Sequence, residues 1–388
     1  MQQLSPDPGA RQRWAALTRI NLLSVLSQIV QIGTVTPLLS LSLEQRGVGA
    51  TGIGLIVSAA WLAILLLYKQ VPRILARLGL VRANLLSALL SVLALVGMAF
   101  SEHLVLLFVL NFLLGIGLIL RWIACDTWIV AVASRSERGR AIGVHETLMG
   151  LGIAAGPLLL VALGVEGRLP YLACAAIIAL SAGLALSLLG HDGRPQTPLA
   201  KHHARLFALI PLALCGAFVA GFCETSSVAF LAGYSVSVGY LLTAATLFIA
   251  VFGAGGTLLQ LPLGWLADRT SSRSAQRACA LLVLAGTLAI PLSQPWPWLA
   301  SLLVFVWGGA IGGLNTLAVM EAGERVAEHQ VSTAMTAIAL FYTLGSVLGP
   351  IATGLAVSGI SASGLMLTVG AVALLFLGLL AWHRAPRP

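Results

Sequence analysis

Apolar residues along this chain fall into twelve long, continuous runs separated by short polar breaks. They lie near 16–42, 52–71, 83–100, 104–132, 141–164, 169–189, 207–232, 238–263, 277–294, 297–320, 331–358 and 363–382. A membrane-crossing helix needs roughly 20 mostly apolar residues, so each run predicts one such helix. The third and ninth are short; the fourth and eleventh are long enough to tilt. The runs do not alternate every second residue, which argues against a β-barrel. The expected fold is an all-α integral membrane protein of twelve transmembrane helices.

Composition removes the other classes. Of 388 residues, 59% are apolar and only 9% are charged, 22 Lys+Arg and 13 Asp+Glu. A soluble domain carries about 25%. Mean hydropathy is +0.97. A cytosolic enzyme, a secreted scaffold and a disordered chain are excluded. The first residues are polar and carry Arg11 and Arg13. The apolar run after them is too long for a signal peptide and lacks a small-residue cleavage site, so it is expected to stay as a span. Cys125, Cys174, Cys215, Cys223 and Cys279 all fall inside predicted helices without metal-ligand spacing, and read as small packing residues.

The basic residues set an orientation. With the N-terminus in the cytoplasm, 19 of the 22 lysines and arginines fall on cytoplasmic segments. Arg46 and Arg168 lie outside, and Arg121 lies within the fourth span. By the positive-inside rule both termini are expected in the cytoplasm of a bacterial inner membrane. The net charge of +9 then reflects topology and attraction to the anionic leaflet rather than nucleic-acid binding.

Residues 191–206 form the longest internal polar stretch, at the midpoint of the chain. They predict a cytoplasmic linker between six-helix bundles at 1–190 and 207–388. Gly152-x-x-x-Gly156-Pro157 recurs as Gly345-x-x-x-Gly349-Pro350, an offset of 193. The stretch Pro72-Arg-Ile-Leu-Ala-Arg77 recurs as Gly264-Trp-Leu-Ala-Asp268-Arg269, an offset of 192. Duplicated halves place a substrate site at their interface, near the midplane.

Gly264-Trp-Leu-Ala-Asp268-Arg269, followed by Arg273, resembles the loop signature of the major facilitator superfamily. The first copy has Pro72 for the glycine and Ala76 for the acid. The stretches Thr36–Val48, Arg138–Pro157, Gly221-Phe-Cys-Glu224-Thr, Gln260–Arg269 and Tyr342–Pro350 are similar to the bacterial YcaD-like branch. The resemblance implies two pseudo-symmetric bundles and secondary transport by alternating access. It also implies gating at the signature, through Asp268, Arg269 and Arg273 with Arg77. Topology-setting basic loops are the alternative. The Gly–Pro pairs, Gly156 with Pro157 and Gly349 with Pro350, allow close helix packing and bending; the Gly152–Pro157 element resembles the helix-5 signature of superfamily antiporters, without that motif's following glycine pair.

Four charges remain inside the predicted membrane: Arg121, Asp126, Glu146 and Glu224. Each costs roughly 2.5–3.5 kcal/mol at the bilayer centre unless paired or facing water. At a rise of about 1.5 Å per residue, Arg121 lies some 21 Å from the cytoplasmic boundary, Asp126 about 13 Å and Glu146 about 9 Å. Asp126 and Glu146 therefore share a layer, with Arg121 near and His145 able to join them. The group fits either proton coupling or a buried ion-pair network. Trp122-Ile-Ala-Cys-Asp126-Thr-Trp128 resembles an acidic run of the YcaD-like branch; the superfamily's helix-4 arginine is replaced by Asn111. Glu224 has no cation near it in sequence and either faces a cavity or is hydrogen-bonded within the packing. Asn21, Gln28, Gln31, Trp61, Trp307, Asn315 and Tyr342 complete the candidate cavity.

A proton-coupled secondary transporter of a small organic molecule fits these features best. No cofactor is expected beyond a proton gradient, and no metal site. The expected partners are the bilayer and the substrate, not nucleic acid, and the expected state is a monomer. The apolar, aromatic cavity favours amphipathic compounds and hence efflux; uptake of a nutrient or metabolite is the alternative. A membrane enzyme lacks a nucleophile or metal motif, because His145-Glu146 is followed by Met149 rather than a second histidine. The spacing of His145 and Met149 invites copper, without a second methionine cluster to support it.

Overall fold

The computed structural model describes residues 8–134, 137–189, 209–327 and 330–383. The expected linker at 191–206 lies outside them. Among the described residues, twelve helices are long and apolar enough to cross a membrane. We number them α1 (Gln12–Gln45), α2 (Ala50–Leu67), α3 (Leu80–Phe100), α4 (Leu104–Val132), α5 (Arg138–Leu163) and α6 (Leu169–Leu186) in the first half. In the second half are α7 (Pro211–Ser237), α8 (Leu242–Arg269), α9 (Ser272–Leu292), α10 (Pro297–Arg325), α11 (Thr333–Gly359) and α12 (Gly364–Trp382). No strand occurs among the described residues. Many leucines on these helices are exposed, including Leu89, Leu93, Leu288 and Leu375, and they form the lipid-facing belt.

The signature segments are helical rather than loops. The first copy forms a short helix, Val71–Leu78, opened by Pro72 and closed by Gly79 at φ 83°, a left-handed geometry that favours glycine. The second copy extends α8. Its hydrogen-bond ladder breaks at Leu259, between Leu242–Leu258 and Gln260–Arg269. Pro262 has no N–H to offer Leu258, which accounts for the break. Both copies lie at the end of the bundle where the chain also crosses between α4 and α5 and between α10 and α11. We call this the basic end. There Glu137 accepts bonds from Ser134 Oγ at 2.6 Å and Trp14 Nε1 at 3.2 Å. The Ser134 bond foremost holds its carboxyl below the usual range.

Within each half, the Gly–Pro helix packs on the half's first helix. A Cβ on Gly152 would meet the Val25 carbonyl of α1, and one on Gly345 the Phe218 carbonyl of α7. Both pairs of partners are related by the same offset of 193 residues. The correspondence ends one turn later: Gly349 meets the Phe222 backbone, whereas Gly156 meets Gly33. Residues Ile29–Thr34 of α1 form a widened π turn, and Gly33 lies within it. Thr34 Oγ1 also donates to the Gly156 carbonyl, at 3.0 Å.

The halves meet along α2 with α11 and α5 with α8. At the end opposite the basic one the contact is close. Thr51 Oγ1 and its backbone N–H both donate to Ser358 Oγ at 3.0 Å. A Cβ on Gly54 would strike the Pro350 carbonyl, and one on Gly354 the Ala50 carbonyl. Further across, Gly233 of α7 packs against the Glu44 carboxylate of α1.

Candidate functional site

A cavity of about 1250 Å³ lies between the halves. Its walls come from α1, α2, α4 and α5 on one side and α7, α8, α10 and α11 on the other. It is closed by the α2–α11 contact and opens toward the basic end, where Tyr68, Lys69, Arg73 and Gln260 line it. Of the residues singled out in the sequence, Gln28, Trp61, Asp126, Glu146, Glu224, Asn315 and Tyr342 reach it.

On the first-half wall, Asp126 projects from α4 and Glu146 from α5. Behind them His145 is 2% exposed. Its Nε2 lies 3.2 Å from Asp126 Oδ1 and its Nδ1 lies 2.7 Å from Asn21 Oδ1 on α1. On the second-half wall Tyr342 Oη donates to Glu224 Oε2 at 2.9 Å. The Tyr342 ring meets the edge of Trp61 with centroids 5.9 Å apart. Glu224 thus both faces the cavity and is hydrogen-bonded, and the Tyr342–Trp61 contact links it to the other half.

Arg121 is placed differently from the sequence expectation. It is 1% exposed and bonds no carboxylate among the described residues. Its Nε donates to Gln31 Oε1 at 2.8 Å, and Nη2 donates to Gln28 Oε1. Nη1 reaches Met149 Sδ at 3.8 Å, so the His145 and Met149 side chains are turned to separate tasks. Gln31 Nε2 donates onward to Ser91 Oγ at 2.8 Å. The amide oxygens of α1 therefore solvate the guanidinium, which answers the desolvation cost without a counter-ion. Gln31 and Asn21 sit behind the cavity wall rather than on it. Trp307 is also a correction: it is 1% exposed, donates Nε1 to the Val283 carbonyl at 3.0 Å and packs edge-on to Phe252. It is core of the second half.

The expected charge latch is likewise rebuilt. Arg273 pairs with Glu321 of α10 at 3.1 Å, not with Asp268. Glu321 is 1% exposed and also receives Arg325 at 3.0 Å and Gln276 Nε2 at 2.9 Å. Asp268 and Arg77 are exposed. Arg269 lies over the Trp265 ring, 3.6 Å from its centroid. The hub at Glu321 escaped the sequence reading, although the i,i+4 spacing of Glu321 and Arg325 was its visible signal. Glu321→Ala would leave two arginines facing a buried gap. It should lower unfolding stability by about 3 kcal/mol, read as a loss of thermal stability in detergent; Asp268→Asn should change it by less than about 0.5 kcal/mol.

A twelve-helix bundle of two halves around a central cavity defines a membrane transporter. The profile of the Major Facilitator Superfamily matches residues 22–350 and again 213–388, and the chain belongs to that superfamily. It is 25% identical over 333 residues to the MFS-type transporter YfkF of Bacillus subtilis (strain 168), covering 83% of this chain and 84% of the relative. It is 23% identical over 372 residues to the MFS-type transporter YcaD of Salmonella typhimurium (strain LT2), covering 95% and 96%. Among solved structures, the nucleoside transporter NupG superimposes with a TM-score of 0.78 at 13% identity over 95% of this chain and 100% of that one. A bacterial homolog of the human lysosomal transporter Spinster, inward-facing and unoccupied, gives 0.77 at 16% identity over 97% and 96%. These two likenesses concern the fold. The protein is a multi-pass secondary transporter and not an enzyme.

Proposed function

We propose that this transporter couples proton movement to passage of a small organic molecule across a bacterial inner membrane, with both termini in the cytoplasm. The observation that carries the reading is the placement of carboxylates on both walls of one cavity, Asp126 and Glu146 opposite Glu224. In that orientation the basic end is cytoplasmic, and the cavity is open inward. Alternating access proceeds by rocking the halves about α2–α11 and α5–α8. Trp61, Tyr68, Trp122, Phe252 and Tyr342 give the cavity a mainly apolar, aromatic lining, with Gln28 and Asn315 as neutral polar contacts. This favours amphipathic compounds and efflux, with uptake as the second reading. Asp268, Arg269, Arg273 and Arg77 remain candidates for the gate at the basic end, now joined by Glu321.

The test begins with a thermal-shift screen of small molecules on purified protein to obtain a ligand. In proteoliposomes that ligand should drive proton flux, with inward and outward gradients distinguishing efflux from uptake. Ligand passage without proton movement would overturn the coupling.

A further inference from the structure

One amide on the cavity wall has its direction fixed from behind. Arg121 is 1% exposed; its Nη2 donates to Gln28 Oε1 and its Nε to Gln31 Oε1 at 2.8 Å. A guanidinium only donates, so Gln28 must turn its oxygen toward Arg121 and its NH2 group away. Exchanging the two ends of that amide would set N–H against N–H. Gln31 is oriented in the same way, and its own NH2 group donates to Ser91 Oγ at 2.8 Å. Gln28 Nε2 meets no such acceptor among the described residues. Gln28 is 3% exposed, and it lines the cavity. Gly152 leaves the room it occupies: a Cβ there would stand 3.3 Å from Gln28 Cβ. We propose that Gln28 recognises substrate by donating to a neutral, carbonyl-type oxygen, and that Arg121 is the positioning residue that fixes this direction. This rests on the reading of the cavity as the substrate site, and it names the substrate class: uncharged, carbonyl-bearing amphipathic compounds.

The chemistry of the wall selects the acceptor. An amide N–H left unpaired against an apolar ligand costs free energy, so a ligand that supplies an oxygen there is favoured. The buried cation behind Gln28 polarises the amide and strengthens its N–H as a donor. A full anion is disfavoured at this place. Asp126, Glu146 and Glu224 face the same cavity, and the lining cations Lys69 and Arg73 stand at its mouth. Trp61, Trp122 and Phe252 offer ring surfaces to an apolar body. Across the cavity Asn315 is also a lining residue, and its Oδ1 has no partner. No guanidinium fixes that amide, so it can turn either end to a ligand. Directional reading of the substrate therefore falls to Gln28. An analogue that lacks the oxygen leaves the Gln28 N–H unmet and should bind about tenfold more weakly.

The test uses matched probes on the full-length protein purified in detergent. Benzanilides are compared with the N-benzylanilines that carry CH2 in place of the carbonyl; both series are uncharged near neutral pH. Affinities are read from thermal-shift titrations. The native protein should bind the carbonyl series about tenfold more tightly. Gln28→Leu should remove that preference. Gln28→Glu keeps the shape of the side chain and pairs with Arg121, but it offers only oxygen, so it should remove or reverse the preference. Arg121→Lys still only donates and should retain it, whereas Arg121→Met lets the amide turn and should shrink it while both series bind. If Arg121→Met does not fold, the two Gln28 variants and Arg121→Lys decide. A native protein without carbonyl preference, absence of binding included, overturns the inference, as does a preference that survives in both Gln28 variants. Full preference in Arg121→Met overturns the positioning role. These titrations use no gradient, so their failure leaves the proposed coupling standing. Conversely, carbonyl preference at Gln28 without ligand-driven proton flux in proteoliposomes overturns the coupling and leaves the recognition in place.

Discussion

Replacing Glu224 by Gln is expected to abolish accumulation driven by a pH gradient while leaving insertion and folding intact. One pH unit supplies about 1.4 kcal/mol for each coupled proton, or about tenfold accumulation. The variant should lose that factor and equilibrate its ligand. Its amide oxygen still accepts from Tyr342 Oη, which is 2.9 Å from the native carboxylate, so the wall of the cavity keeps its shape. Asp126→Asn is expected to do the same from the opposite wall. Accumulation by proteoliposomes loaded at one pH and diluted into another measures both. If both variants accumulate ligand as the native protein does, neither carboxylate carries the coupled proton.

Gly54→Leu should shift the conformational balance by about tenfold or more, away from the state with the basic end open. The native glycine lets α2 approach the Pro350 carbonyl of α11 so closely that a Cβ would collide with it. Forcing bulk into such a contact costs about 1–3 kcal/mol, and the cost falls on the state in which this end is closed. The alternative state escapes it. Spin labels on Glu102 and Ser361 report the opposite end; labels on Arg77 and Asp268 report the basic end, and all four positions are exposed. The first distance should widen and the second should shorten. Unchanged distances would mean that the contact is ordinary packing and not a gate.

Much of this architecture is legible in the sequence because lipid enforces it. Twelve apolar runs can only be helices when no water is present to satisfy the backbone, and the observed spans match those runs to within several residues. Differences occur where side chains rather than hydropathy decide. Past the break that Pro262 causes, α8 continues as a second helical piece to Arg269, through what reads as a loop. Glu224, Asp126, Glu146 and Tyr342 were visible because charges and polar rings are rare in such a chain. Their neighbours across helices were not. Nothing in the order of residues says that Arg121 is solvated by Gln28 and Gln31, or that Arg273 chooses Glu321 over Asp268. Those choices depend on the rotation of each helix, which a pattern of composition leaves open. Trp307 was misplaced for the same reason: its ring turns into the second half rather than toward the cavity.

The widened turn at Ile29–Thr34 changes how the two halves align. A π turn holds one residue more than an α turn, and each residue on a helix accounts for about 100° of azimuth. Beyond that point α1 presents different positions than α7 does at the same sequence offset. Residue-by-residue equivalence by the repeat of 193 therefore holds on the near side of Gln28 and fails past Gly33. Deleting one residue between Ile29 and Thr34 should restore a plain α-helix and swing the far third of α1, with Glu44, by about 100°.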